Sequence, residues 1–318
     1  MNERRTPAVQ SVKLTCISLQ TGNEIPMPEK TILCLGNFDG VHLGHLALIR
    51  EALRVKESQE NSIPCGAFCF WEHSADLLLE HPVERLTTAA ERLELFKSAG
   101  LEFVIYADFA ALRDLPPEAF AKKVLAGQCH CAAAVCGFNY RFGKGAAGMA
   151  EDLCRLLGAP VSVCPAVKID GDTVSSTRIR ALIQSGEVAK AARLLGRPYA
   201  LSAVVKHGKE LGRKLGFPTA NQDFPPLAAI PKHGVYITDC LLDGARYRGV
   251  SNVGNHPTVD SPKTTINCET YLIGYQGDLY GKPLTVNFLQ FLRPEQTFAS
   301  VEEMKAQIAK DAETARKQ

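Results

Sequence analysis

Long apolar runs are missing from this chain: nowhere do about 18 apolar residues stand together, which excludes a helical membrane span. The opening MNERRTPAVQ is polar and no leader-type apolar stretch follows it, so the protein is expected to be soluble and cytoplasmic. Neither sign of charge dominates. With 36 Lys+Arg against 34 Asp+Glu the formal charge is +2, too small for a protein whose main task is to coat nucleic acid or anionic membrane. Internal repeats and low-complexity tracts are missing too, and so is paired C-x-x-C spacing. The 11 cysteines are an odd number scattered through apparent strands and helices, as in Leu33-Cys34-Leu35 and Val163-Cys164-Pro165, and read as buried reduced thiols. The closest group, Cys129-His130-Cys131 with Cys136, lacks the spacing of a structural zinc site.

What is present is ordinary globular composition, 46% hydrophobic and 22% charged over 318 residues, a length that favours two domains with separate cores. Up to about residue 185, short β-like runs (31–36, 63–70, 101–107, 132–137, 161–167) alternate with helical stretches (43–57, 88–99, 117–126, 151–157). Several of these strands are apolar without alternation, as expected when helices cover both faces of a parallel sheet. The expectation over 1–185 is a doubly wound α/β domain whose ligands sit at the carboxyl ends of the strands. From about residue 199 the grammar changes to strands and turns (200–206, 234–242, 246–252, 264–273, 284–291), with Asp243-Gly244 marking a type I′ hairpin. This predicts an all-β domain over 186–318, a small antiparallel barrel. A C-terminal helix opens at Ser300-x-x-Glu303 and turns Val301, Met304, Ile308 and Ala312 toward the barrel. Between the halves, a short helical piece is expected in 185–198.

The first expected strand runs into Gly36-Asn37-Phe38-Asp39-Gly40-Val41-His42-Leu43-Gly44-His45 and then a helix. Glycines permit close backbone approach, and a helix start offers free N–H groups and partial positive charge, so phosphate is the natural guest. His42 and His45, three apart, share a face of the first turn, with Gly44 leaving room between them. Two capped or surface histidines would have the same spacing. This segment resembles the HxGH nucleotidyltransferase superfamily, in the form found in bacterial FAD synthetases. The resemblance implies adenylyl transfer, with His42 and His45 as donors to the reacting phosphates and with Gly36, Phe38, Gly40 and Gly44 against the nucleotide. The chemistry agrees: an incoming phosphate is already a nucleophile, so positioning and charge stabilisation matter more than a base. Val174-Ser175-Ser176-Thr177-Arg178-Ile179-Arg180 is similar to the family's S-S-T-x-I-R stretch, which implies Arg178 on pyrophosphate and Ser176 and Thr177 on phosphates. A plain N-cap and a solvated arginine would read the same way. Gly137-Phe138-Asn139-Tyr140-Arg141-Phe142-Gly143 resembles the family's G-x-[DN]-F-x-F-G motif and implies nucleotide or flavin phosphate on Asn139. The chain departs from the family at Ser74, where proline is usual, and at Met149, where aspartate is usual.

The second constellation is Gly208-Lys209-Glu210-Leu211-Gly212-Arg213-Lys214-Leu215-Gly216-Phe217-Pro218-Thr219-Ala220-Asn221. It is no P-loop, since no Gly-Lys-[Ser/Thr] ends it and no βα unit surrounds it. Its backbone could still wrap phosphates, and Thr219 and Asn221 offer neutral oxygens on one side of a strand, suited to a hard cation such as Mg²⁺. An exposed β-loop with a turn proline is the plainer reading. G-R-x-L-G-F-P-T-A-N is similar to the signature of riboflavin kinases, and the similarity continues through 249–259, Glu269-Thr270-Tyr271-Leu272, 278–281 and 292–298. It implies Glu269 as catalytic base, Gly212, Arg213, Gly216 and Pro218 around phosphate, and Thr219 and Asn221 on the metal. A base is what this step needs, because a primary alcohol must lose its proton as it attacks ATP.

Together the resemblances cover about residues 12–316. They imply a bifunctional prokaryotic FAD synthetase, with a Rossmann-like FMN adenylyltransferase followed by a riboflavin kinase barrel. ATP and Mg²⁺ would serve both sites, with riboflavin, FMN and FAD as substrates and products. The alternative is a riboflavin kinase whose adenylyltransferase domain is impaired at Ser74 and Met149. An aminoacyl-tRNA synthetase would need a K-M-S-K-S-like loop and an anticodon domain, and a DNA-reading flavin regulator a helix-turn-helix; neither is visible. Nucleic-acid and membrane partners are not expected, and nothing indicates an oligomer.

Overall fold

The computed structural model describes residues 14–19, 27–59, 62–70, 82–207, 216–257 and 264–318. By its contacts the chain divides into two units, Met1–Val83 with Ala89–Val167, and Glu84–Thr88 with Lys168–Gln318. The boundary expected at 185/186 falls inside the second unit.

The first unit is a parallel sheet between helices. Its elements are β1 (Thr15–Leu19), β2 (Thr31–Leu35), α1 (Leu43–Ser58), β3 (Cys65–Phe70), α2 (Ala89–Ser98), β4 (Phe103–Ala107), α3 (Phe109–Leu112), α4 (Pro117–Ala119), β5 (Cys131–Gly137), β6 (Arg141–Phe142), β7 (Gly148–Met149), α5 (Ala150–Leu157) and β8 (Val161–Cys164). Strand β1 was not expected, and β8 stops before Pro165, shorter than the 161–167 run. After α4 the chain continues as a wider coil to Gln128, where the Cys129 N–H reaches back five residues to the Val124 carbonyl at 2.9 Å. The sheet order is β1-β4-β3-β2-β5-β8, all parallel. Alternate residues of one strand feed different cores: Leu33 and Leu35 join one cluster, Ile32 and Cys34 the other. This double burial is why β2 and β4 carry no polar alternation.

Eight of the eleven cysteines are buried. Burial pushes the thiols of Cys69, Cys131, Cys136, Cys240 and Cys268 up to about 12, so they stay protonated and inert. His130 turns outward while Cys129, Cys131 and Cys136 face the core.

The second unit opens with a small hairpin, β9 (Lys168–Ile169) and β10 (Asp172–Thr173), and two helices, α6 (Ser176–Gln184) and α7 (Val188–Leu195). Six strands follow: β11 (Tyr199–Val204), β12 (Thr219–Asp223), β13 (Gly234–Leu242), β14 (Ala245–Pro257), β15 (Thr264–Leu272) and β16 (Pro283–Arg293), then α8 (Val301–Arg316). The antiparallel order is β11-β16-β13-β14-β15-β12. Its ends meet where the Lys206 N–H donates to the Asn221 carbonyl at 2.8 Å, and the buried Gln222 amide donates to Ala203 and Leu284 carbonyls at 2.7 Å each, closing a barrel. Asp243 (φ 48°) and Gly244 (φ 81°) make the expected hairpin turn.

Helix α8 packs on the barrel's outer face against Val235, Ile237 and Val250 through Ala312 and Ala315. The expected stripe needs correction at its start, because Val301 is 47% exposed. The inward face instead carries Asp311, whose carboxylate takes the Arg293 guanidinium at 2.8 and 3.0 Å.

Candidate active sites

In the first unit, strand order places the site. Helices lead from β2 outward in one direction through β3 and β4, and the sheet grows the other way through β5 and β8, so the order reverses between the neighbouring strands β2 and β5. Ligands bind at the carboxyl ends of such a pair. Gly36 follows β2 there and Gly137 ends β5, one position on from the Leu35–Cys136 pair.

The loop after β2 holds three positive φ angles, Phe38 (55°), Gly40 (81°) and Val41 (37°). Such backbone is costly for phenylalanine and above all for valine, and it persists only where the surroundings over-determine it. The Phe38 ring supplies one constraint. It is fully buried, 5.3 Å from Phe96 edge-on and 5.1 Å from the His45 ring. That leaves its backbone, rather than its side chain, at the loop surface.

His42 is the N-cap of α1. Its Nδ1 accepts the His45 backbone N–H at 3.2 Å, which makes Nδ1 the bare nitrogen and puts the imidazole proton on Nε2. The two rings stack with centroids 3.6 Å apart, inclined by 12°. His45 lies well below the usual histidine range, first because it is buried, then because His42 and Arg92 are beside it. Its Nδ1 is buried without a hydrogen-bond partner among the described residues. A bare acceptor is the cheaper orphan, so the Nε2–H form is again favoured. The pair thus offers two neutral N–H donors at a helix N-terminus.

Asn139 is exposed in the turn after β5, which the Tyr140 N–H closes onto Gly137 at 3.0 Å. Of that motif's aromatics, Phe142 enters the core and Phe138 is 51% exposed. Met149 opens α5 with its N–H on Asp152 at 3.1 Å. Ser74 lies outside the described residues. Arg92, on α2, belonged to no motif; its Nη1 donates to the Asn37 carbonyl at 3.1 Å. An arginine in an amphipathic helix carries no local signal for such a contact.

Within the second unit, Ser175 is the N-cap of α6, its Oγ accepting the Arg178 N–H at 3.2 Å. Ser176 and Thr177 take the first two helical positions. Arg178 is held by Asp172 of β10 through Nε and Nη2 at 3.3 and 3.0 Å. Asp172 was not singled out from the sequence.

On the barrel, β15 lies between β12 and β14. Glu269 pairs in register with Asn221 on one side and Asn252 on the other, and Thr219 pairs with Tyr271. By strand alternation Thr219, Asn221, Asn252, Asn267 and Glu269 share the outer face, all half-buried. The Asn252 amide donates to Glu295 at 3.0 Å, while Oδ1 of Asn252 and of Asn267 is buried without a partner among the described residues. Phe217 packs edge-on to Tyr271 at 5.3 Å, bringing the end of the glycine-rich loop to this face. Gly216 has φ 84°, a value that glycine alone adopts freely, and Pro218 is exposed. Gly212 and Arg213 lie outside the described residues. Two neutral oxygens beside one carboxylate suit Mg²⁺, which takes oxygen ligands and is held as much by substrate phosphates as by protein.

Residues 24–178 match a family model described as FAD synthetase, and residues 195–318 one described as riboflavin kinase. A Listeria monocytogenes protein is 31% identical over 290 residues, 90% of this chain and 91% of its own. An Escherichia coli K12 protein is 33% identical over 294 residues, 91% and 92% of the two chains. Both are named bifunctional riboflavin kinase/FMN adenylyltransferase. A solved Streptococcus pneumoniae structure described as a macrolide-efflux protein superposes with TM-score 0.88 at 29% identity, over 96% of this chain and 100% of the other. Among the described residues here, no helix is long and apolar enough to cross a membrane.

Proposed function

This chain belongs to the bifunctional riboflavin kinase/FMN adenylyltransferase family, and on that basis we propose how its residues divide the two reactions. The protein phosphorylates riboflavin to FMN with ATP and then adenylylates FMN to FAD, releasing pyrophosphate. ATP supply assigns both steps to the cytoplasm.

In the kinase step Glu269 takes the proton of the ribityl 5′-hydroxyl as that oxygen attacks the γ-phosphorus, whose bond to the β,γ-bridging oxygen breaks as ADP leaves. The observation that carries this role is the register: the carboxylate stands between Asn221 and Asn252 on a half-buried face. Thr219 and Asn221 would hold Mg²⁺ through their oxygens; the ion, when bound, neutralises charge on the transferring phosphates. Gly212, Arg213, Gly216 and Pro218 are assigned to the phosphate loop.

In the adenylyl step the FMN phosphate oxygen attacks the α-phosphorus and pyrophosphate leaves, with no proton to remove. His42 and His45 donate from Nε2 to the oxygens on which charge builds up. The backbone of Gly36, Phe38, Gly40 and Gly44 is assigned to the nucleotide and Asn139 to a phosphate; at the start of α6, Ser176, Thr177 and Arg178 are assigned to phosphate binding. Asp172 anchors the Arg178 guanidinium.

Incubation with riboflavin, ATP and Mg²⁺ tests the reading. FMN should rise first and FAD should follow at its expense. Accumulation of FMN alone would instead support an adenylyltransferase impaired at Ser74 and Met149, and unchanged riboflavin would overturn the assignment.

A further inference from the structure

Arg92 makes three observations that its place in the sequence does not explain. Its Nη1 donates to the Asn37 carbonyl at 3.1 Å, its guanidinium lies 5.4 Å from the Tyr106 ring centre, and its buried Nε has no hydrogen-bond partner among the described residues. Withdrawing a guanidinium from water is costly, and a buried N–H left without an acceptor adds to that cost. One hydrogen bond to a neutral carbonyl does not by itself require a cation, so the charge calls for an explanation.

Two consequences meet at the histidine pair. Asn37 immediately precedes the run of positive φ angles at Phe38, Gly40 and Val41, so pinning its carbonyl fixes where the strained loop begins. Arg92 is also near enough to His45 to help hold that imidazole uncharged. The groups facing His45 are His42 from its own turn and Arg92 from α2; beside Arg92 stand Tyr106 and Cys69, with Cys16 next to both of those, and Asp39 is the acid of the loop.

We propose that Arg92 is a positioning residue for adenylyl transfer: tied to Asn37, it holds the loop in shape and keeps a permanent positive charge beside the His42–His45 pair. This rests on the reading that the pair serves the adenylyl step. A guanidinium does not titrate in the working range, so it supplies charge without taking part in proton transfer. It also disfavours protonation of His45, so the neutral Nε2–H donor persists to lower pH. The leaving pyrophosphate is an anion throughout and gains from a fixed cation that needs no reorganisation.

The test uses the full-length protein with Arg92→Gln and Arg92→Lys, and riboflavin phosphorylation in the same preparation as the control for folding. In Arg92→Gln, kcat for FMN to FAD should fall by roughly 10- to 100-fold, with KM for ATP and FMN within about threefold and the kinase within about twofold. The acid limb of its adenylyl-transfer pH profile should move up by roughly half a unit or more, toward the ordinary histidine range. Arg92→Lys should recover most of kcat and keep the limb near its original position. The proposal is overturned if Arg92→Gln leaves kcat and the limb unchanged, if it lowers both activities equally, or if kcat falls with no movement of the limb. A separate arm with His42→Ala and His45→Ala together distinguishes the failures: undiminished FAD formation there would remove the underlying reading rather than the role of Arg92.

Discussion

At the scale of single residues, Glu269 and His45 carry the roles proposed for them through their neighbours. Glu269 sits in an apolar, β-branched run where a carboxylate gains nothing for packing, but its partners across both strands are asparagines. Glu269→Gln keeps the shape and removes the proposed base, so riboflavin phosphorylation should fall by roughly 100- to 10,000-fold while FMN to FAD conversion stays near normal. Separate assays of the two steps check this. His45 carries a pH signature. Its folded value is depressed, whereas the unfolded histidine titrates near about 6.5. Above that pH both states are neutral and nothing is lost. Below it the unfolded chain binds the extra proton, so stability should fall with pH, by at most about 1.4 kcal/mol per unit, until the folded imidazole also protonates. Urea midpoints across that window should drop for the parent protein and drop less for His45→Gln.

At the scale of elements, the decisive features are joints. The Arg293–Asp311 pair joins the end of β16 to α8, with side chains 15% and 4% exposed. Arg293→Leu leaves a buried carboxylate uncompensated and should cost about 3 kcal/mol, whereas adding Asp311→Leu should return much of it. Thermal melts of the single and double variants test the joint. Inside the barrel a different joint runs across β13, β14 and β15, through hydroxyl contacts Thr238–Ser251 at 2.9 Å and Ser251–Thr270 at 2.8 Å. Gly249 fits beside it only because it lacks a Cβ, which would stand 2.7 Å from the Thr238 hydroxyl oxygen. Thr270 neighbours Glu269, so this network stiffens the strand that carries the proposed base.

At the scale of the whole molecule, two architectures match two chemical demands. Adenylyl transfer needs donors arranged about an anion that is already nucleophilic, and a parallel sheet ending in a helix N-terminus supplies them. Phosphorylation of an alcohol needs a placed carboxylate, and a rigid antiparallel ladder is suited to place one. His42→Ala with His45→Ala should therefore abolish FAD formation and leave riboflavin phosphorylation intact, the mirror image of Glu269→Gln. The near-neutral charge fits the proposed assignment, which confines the anion-binding groups to a few short stretches. The two-part grammar, the Asp243-Gly244 turn, the His42/His45 spacing and the alternation that puts Thr219 with Asn221 were all legible in the sequence. Each depends on residues within a few positions of one another, where propensity, capping and side-chain period act. Beyond that range, residue spacing was silent. The pairing of β2 with β5, the register that sets Glu269 between Asn221 and Asn252, the Arg293–Asp311 joint, and the reach of Arg92 to a carbonyl 55 positions away were decided by tertiary structure. Those contacts form only when separated segments bury their faces together, and local spacing carries no record of which faces will meet.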